Sequence, residues 1–195
     1  MPDPIKRCPW PIAGDLLYLN YHDKEWGAPV YDDHTIFEFL TLESFQAGLS
    51  WRTILYKREN FRKAFANFDF VKVAKFTQKD FKRLLSDARI IRNRLKIGSA
   101  INNAKQFIEV RQEFGTFSKY MWSWVNYKPI IHRFKEIKDY PPFIEEAVLW
   151  AKDLKKRGFK FLGPTVIYAH MQAVGMVNDH TIDCFRYKAL NRNHK

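Results

Sequence analysis

Four metal-ligating side chains stand at the two ends of the chain: Cys8 and His22 near the start, His180 and Cys184 near the finish. The second pair is spaced i,i+4, so on one helical turn both ligands would share a face. Cys8 and His22 would then complete a tetrahedron from the other terminus. Two thiolates with two imidazoles form an ordinary structural zinc set with no position left open for substrate. The spacing is not that of a zinc finger. Two free buried cysteines and two ordinary histidines account for the same residues, and a single Cys8–Cys184 disulfide is a further option.

A second group is aromatic. Trp10, Tyr18, Tyr21, Trp26 and Trp51 flank a segment reading Leu42-Glu43-Ser44-Phe45-Gln46-Ala47-Gly48-Leu49-Ser50-Trp51. Aromatic faces stack on any flat base, and a cationic ring adds cation–π attraction. Glu43 lies inside an otherwise apolar helical run, where a carboxylate needs a compensating partner. Core packing with a locally paired Glu43 is the plainer alternative. A third group runs from Lys155 to Thr165, with a basic helix end, glycines at 158 and 163, then Pro164 and Thr165 suited to opening a helix. Such a turn points backbone N–H groups and a helix N-terminus at a phosphate, or simply joins two helices.

The elements that must position these residues read as helices. Apolar residues recur at three- and four-residue spacing, and few segments alternate in the strand manner. Asp32 or Asp33 is a candidate cap for a helix through Ile36, Phe37, Phe39, Leu40 and Leu42, and Ser50 for one through Ile54, Leu55, Phe61 and Phe65. Further helices are predicted over 70–76, 78–87, 93–112, 116–126, 143–157 and 164–175, with Pro141-Pro142 breaking the chain before one of them. The class is all-α. With 195 residues, no repeat and no linker, a single domain over 1–195 is expected. The 33 Lys and Arg outnumber 21 Asp and Glu, a formal charge of +12 that favours a polyanionic partner over a merely solubilising surface. No run approaches a membrane span, and Met1-Pro2-Asp3-Pro4 lacks the order of a secretory signal, so no membrane partner and a cytoplasmic location are expected.

The stretches RCPW (7–10), LYLNYHDKEWG (17–27), LESFQAGLSWRTIL (42–55), FDFVKVA (68–74), WSWVN (122–126), KKRGFKFLGPT (155–165) and VNDHTIDC (177–184) together resemble the 3-methyladenine DNA glycosylase I family, across nearly the whole chain. The resemblance implies the all-α helix-hairpin-helix glycosylase fold, with one structural zinc ion on Cys8, His22, His180 and Cys184 joining the N- and C-terminal segments. It implies a base pocket at Trp10, Tyr18, Tyr21, Glu43 and Trp51; within it, Glu43, with Tyr21 as its polar neighbour, is expected to take the catalytic role. Gly48 and Leu49 correspond to a DNA-inserting loop, and Gly158, Lys160, Gly163 and Thr165 to a phosphate-binding hairpin. The expected partner is double-stranded DNA containing alkylated adenine, met by a monomer that hydrolyses the N-glycosidic bond. A zinc-stabilised damaged-DNA-binding module without catalysis is the competing expectation. Three departures stand out. Asp179 sits where the wider superfamily has a catalytic Asp but adjoins a ligand, and is not given that role. Pro164-Thr165 replaces the lysine of strand-cleaving relatives. Ala169 lies where some family members carry a small hydroxyl side chain.

Overall fold

The computed structural model describes residues 5–192; Met1–Pro4, on which the reading of the chain's start rests, lie outside the described residues. Among the described residues, ten α-helices form the body: α1 (Leu16–Lys24), α2 (Asp33–Gln46), α3 (Trp51–Ala64), α4 (Phe70–Ala74), α5 (Gln78–Ser86), α6 (Arg94–Phe114), α7 (Phe117–Ser123), α8 (Glu145–Lys156), α9 (Pro164–Ala173) and α10 (Phe185–Arg192). Two short strands, β1 (Ile130–Ile131) and β2 (Val177–Asn178), pair in parallel with Ile130 opposite Val177. No helix among the described residues is long and apolar enough to cross a membrane.

Side-chain caps explain most helix starts. Asp32 accepts from the Thr35 N–H at 2.8 Å and opens α2, and Ser50 accepts from the Thr53 N–H and opens α3. Of the two aspartates considered as the α2 cap, Asp33 does something else. Its carboxylate takes the N–H groups of Phe117 and Ser118 and the Arg111 guanidinium, tying the start of α7 to α2. Asn93 caps α6, and Gly115 ends it.

The central element is α2. Every residue from Ile36 to Phe45 is buried, so the helix is covered all round by α3, α6, α7 and α9. Its polar members therefore need partners inside the protein. Glu38 receives Arg58 Nε at 2.5 Å and Arg62 Nη2 at 2.9 Å, and Ser44 donates to the Thr41 carbonyl. Glu43 has no such compensation. α8 and α9, joined by the turn 157–163, pack together, and α9 also packs on α2, so α9 connects the turn to the helix that carries Glu43.

Candidate active site

Cys8, His22, His180 and Cys184 converge, all buried, with their ligating atoms within 4.8 Å of one another. His180 and Cys184 do not share a helix. A turn closed by the Cys184 N–H on the Thr181 carbonyl brings them together just ahead of α10. Both cysteines are free thiols. Cys8 Sγ lies 3.3 Å from His180 Nδ1, and Cys184 Sγ lies 3.5 Å from His180 Nδ1 and 3.6 Å from His22 Nε2. A tetrahedral zinc with bonds of about 2.3 Å to sulfur and about 2.0 Å to nitrogen sets S···N edges of about 3.5 Å, so this donor set fits the ion. The second ring nitrogens are already oriented. His22 Nδ1 meets Asp23 Oδ1 at 2.8 Å, itself gripped by Arg7, and His180 Nε2 meets the Trp26 carbonyl at 3.0 Å. Burial lowers His180, keeping its imidazole neutral. Hydrogen bonding between the two sulfurs draws Cys184 below the usual thiol range and pushes Cys8 above it, so the pair shares a proton that a metal would displace. Neutral imidazole and thiolate are the forms a metal takes.

Trp10 links this cluster to a cavity. Its ring lies 5.1 Å from His22 and 5.0 Å from Trp26 on one side, and 5.2 Å from Tyr18 on the other. The cavity, about 220 Å³, is lined by Trp10, Tyr18, Tyr21, Trp26, Glu43 and Trp51, all singled out in the sequence, and by Ala169. Gln46, Ile137, Tyr140 and Gln172 complete it, and the sequence reading gave none of them a role. Gln46 stands one turn beyond Glu43 on α2, a signal that helical spacing offered. Gln172 depends on contacts that no local pattern reveals.

Three polar atoms of the lining are buried without a partner among the described residues: Glu43 Oε2, Trp10 Nε1 and Trp51 Nε1. Five other buried side-chain nitrogens of the described residues are also unpartnered, but these three atoms share one cavity and include its carboxylate, which points to a ligand that supplies the missing bonds. Burial pushes the Glu43 carboxyl up to about 8, so it is largely protonated at neutral pH. Burial, and then the neighbouring Glu43, raise Tyr21 well above the usual phenol range, so it keeps its O–H to donate.

Gly48 and Leu49 form the link from α2 to α3 at the rim. Gly48 has φ +83°, Leu49 is 41% exposed, and both border a hollow shared with Glu43, Thr165 and Ala169. Buried Lys96 anchors this link by donating to the carbonyls of Phe45 at 2.9 Å and Ala47 at 2.5 Å. In the 157–163 turn, Gly158 has φ +85° and its carbonyl accepts from Asn102, while Asn103 bonds both backbone groups of Lys160. Lys160, Gly163 and Thr165 are exposed, and Pro164 is the first residue of α9. Phe161, which the sequence did not single out, is exposed at the turn with φ +59°. Asp179 is fully engaged: Tyr168 Oη, Gln172 Nε2 and His132 Nδ1 all bond its carboxylate.

A helical body that keeps an uncompensated carboxylate in an aromatic-lined cavity, with a turn held by Asn102 and Asn103 ahead of α9, has the construction of a base-excising DNA glycosylase. The chain belongs to the methyladenine glycosylase family: the family described as Methyladenine glycosylase matches residues 10–187. It is 45% identical to DNA-3-methyladenine glycosylase 1 of Escherichia coli (strain K12) over 183 residues, 94% of this chain and 97% of that protein. A crystal structure of a 3-methyladenine DNA glycosylase I superposes with a TM-score of 0.89 at 44% identity, covering 92% of this chain and 98% of the other. A single-residue variant of a 3-methyladenine DNA glycosylase I in complex with 3-methyladenine superposes with a TM-score of 0.86 at 41% identity, over 88% and 92% of the two chains.

Proposed function

We propose that this protein is a monofunctional DNA glycosylase that excises 3-methyladenine from alkylated duplex DNA, the first step of base-excision repair. The observation that carries the reading is Glu43, a buried carboxyl with an unpartnered oxygen inside an aromatic cavity. The whole chain, 1–195, acts as one catalytic domain, a cytoplasmic monomer.

The base must leave the stack to reach the cavity, at an unstacking cost of a few kcal/mol. Lysines and arginines on phosphates supply sequence-independent affinity, with the 157–163 turn and the N-terminus of α9 as one contact and Leu49 filling the gap in the duplex. Methylation at N3 makes the ring cationic. Trp10, Trp51 and Tyr18 enclose it, and its charge draws Glu43 into the ionised form, so binding and ionisation are coupled. Glu43 then accepts from the base edge, with the Tyr21 hydroxyl as its polar neighbour. Water bonds to C1′ as the C1′–N9 bond breaks. The electron pair goes to the departing base, and the water's proton goes to solvent. The ionised Glu43 also steadies the positive charge that develops on the sugar. Zinc on Cys8, His22, His180 and Cys184 would be structural, supported by a closed set of four protein donors.

The decisive experiment is incubation with methylated duplex followed by chromatography of released bases and, in parallel, borohydride treatment. Free 3-methyladenine is expected, with an intact abasic strand and no trapped protein–DNA adduct, since Pro164 and Thr165 offer no amine. Damage binding without base release would favour the non-catalytic module. An adduct lost in Lys160→Ala would make the enzyme bifunctional.

A further inference from the structure

A second polar group reaches the cavity from α9. Gln172 lines it three residues beyond Ala169, a spacing that puts both on one helix face. A side-chain amide has a donor end and an acceptor end, and at Gln172 the neighbours decide which is which. Its Nε2 lies 2.8 Å from Asp179 Oδ2. Asp179 is 1% exposed, and its carboxylate also accepts from Tyr168 Oη at 2.5 Å and His132 Nδ1 at 2.6 Å. A carboxylate only accepts, so only the NH₂ end of Gln172 can meet it. Turning the amide over would set its oxygen against the buried Asp179 carboxylate, acceptor against acceptor. Oε1 takes no hydrogen bond from any described residue.

We propose that Gln172 is a specificity-determining residue whose Oε1 reads the 6-position of the flipped purine. An exocyclic amine carries two hydrogens, and the cavity holds two acceptors for them, Glu43 and Gln172. A 6-oxo purine brings lone pairs to the same place and meets acceptor with acceptor. The stacking surfaces of Trp10 and Trp51 take either ring, so discrimination falls to the polar atoms. A site built to hydrogen-bond an N–H rejects an analogue lacking it far more strongly than an apolar site rejects a shape. Asp179 is the positioning residue behind this choice. The inference rests on the cavity being the base pocket.

The test compares release of 3-methyladenine and 3-methylguanine from one methylated duplex by the parent, Gln172→Met and Asp179→Asn. In Gln172→Met, release of 3-methyladenine should fall about tenfold while 3-methylguanine holds or rises. In Asp179→Asn the new amide can donate to Gln172, freeing its Nε2 to turn toward the cavity, so the ratio should move the same way. Metal content and Tm are followed for Asp179→Asn because His180 is its neighbour. A measurement on folded parent protein stands beside these: calorimetry with free 3-methyladenine and 3-methylhypoxanthine, which has oxygen in place of the amine and one hydrogen on a ring nitrogen. The parent should bind the second at least about tenfold more weakly, and Gln172→Met should narrow that gap. Equal losses of both released bases, or a gap unchanged in Gln172→Met, would overturn the assignment. A parent that releases neither base would defeat the pocket reading itself, which is a different result from an unmoved ratio.

Discussion

Glu38 and Glu43 sit five residues apart on the same buried helix, and their difference separates structure from chemistry. Two arginines compensate Glu38. Glu43 is left with desolvation, which lifts its carboxyl from 4.5 to about 8. That displacement corresponds to about 5 kcal/mol against the ionised form, a large share of a typical folding free energy. The pH dependence follows. Because the folded value lies above the unfolded one, the contribution is favourable below pH 4.5 and is lost as pH rises through 8. Glu43→Gln removes the ionisation, so its Tm should match the parent near pH 4.5, exceed it progressively up to pH 8, and then run parallel. The same variant should bind free 3-methyladenine more weakly by about 1–3 kcal/mol in calorimetry while holding undamaged DNA almost unchanged. A variant that loses stability at every pH, or binds the free base as well as the parent, would remove Glu43 from the role given to it.

Among the elements, those with an inward apolar face were legible, whether a side chain caps them, as Ser50 does α3, or none does, as in α8 and α9. α2, α3, α6, α8 and α9 lie within a few residues of their predicted spans. α1 was not foreseen because its surface is inverted: Leu16 is 80% and Leu17 42% exposed, while His22 is completely buried. Apolar periodicity cannot announce a helix whose inward face carries ligands. α10 is short, and Phe185 at its start is 38% exposed. The predicted helix over 116–126 stops at Ser123, because Asn126 and Tyr127 turn left-handed. The pocket's aromatics and Glu43 were readable as residue types out of place. Gln172 was not, since its orientation is set by Asp179 from beyond the turn that follows α9. The 157–163 turn makes a claim testable at this scale. An alanine at Gly158 would keep φ near +85°, at about 1–2 kcal/mol, and set its Cβ 3.2 Å from Gln106 Oε1, which can swing away. Gly158→Ala should therefore fold with a Tm lower by roughly 2–8 °C and bind duplex several-fold more weakly in anisotropy at fixed salt. Free-base affinity should be untouched. Parallel loss of both would mean that the turn supports the cavity and not the DNA backbone.

Across the described residues, Cys8 and His22 meet His180 and Cys184 at one point, and that point touches the pocket. Cys8 and Trp10 are two residues apart, so whatever fixes Cys8 also limits where Trp10 can go. The Trp10 ring packs on His22, a second member of the cluster. The short β1–β2 pairing and the contact of the Phe185 N–H with the Lys6 carbonyl hold the same region from other sides, but each is a small interaction. Four buried donors spanning 176 positions of sequence, Cys8 to Cys184, would close nearly the entire chain when a metal joins them. In a closed set the metal's binding energy is folding energy, and it offers no coordination site to substrate. Stripping the metal with a strong chelator in mild reductant should therefore lower Tm on the order of 10 °C, equivalent to roughly 3–5 kcal/mol for a chain of this size. Affinity for free 3-methyladenine should weaken in step, because Trp10 is no longer fixed, and zinc should restore both together. Cys184→Ser should reproduce the loss without chelator. A metal used in catalysis would behave differently: turnover would vanish while Tm and base affinity held. Protein that contains no zinc after careful preparation, yet melts and binds the base as strongly as before, would show that the four side chains pack without an ion and that the termini are held by the surrounding contacts alone.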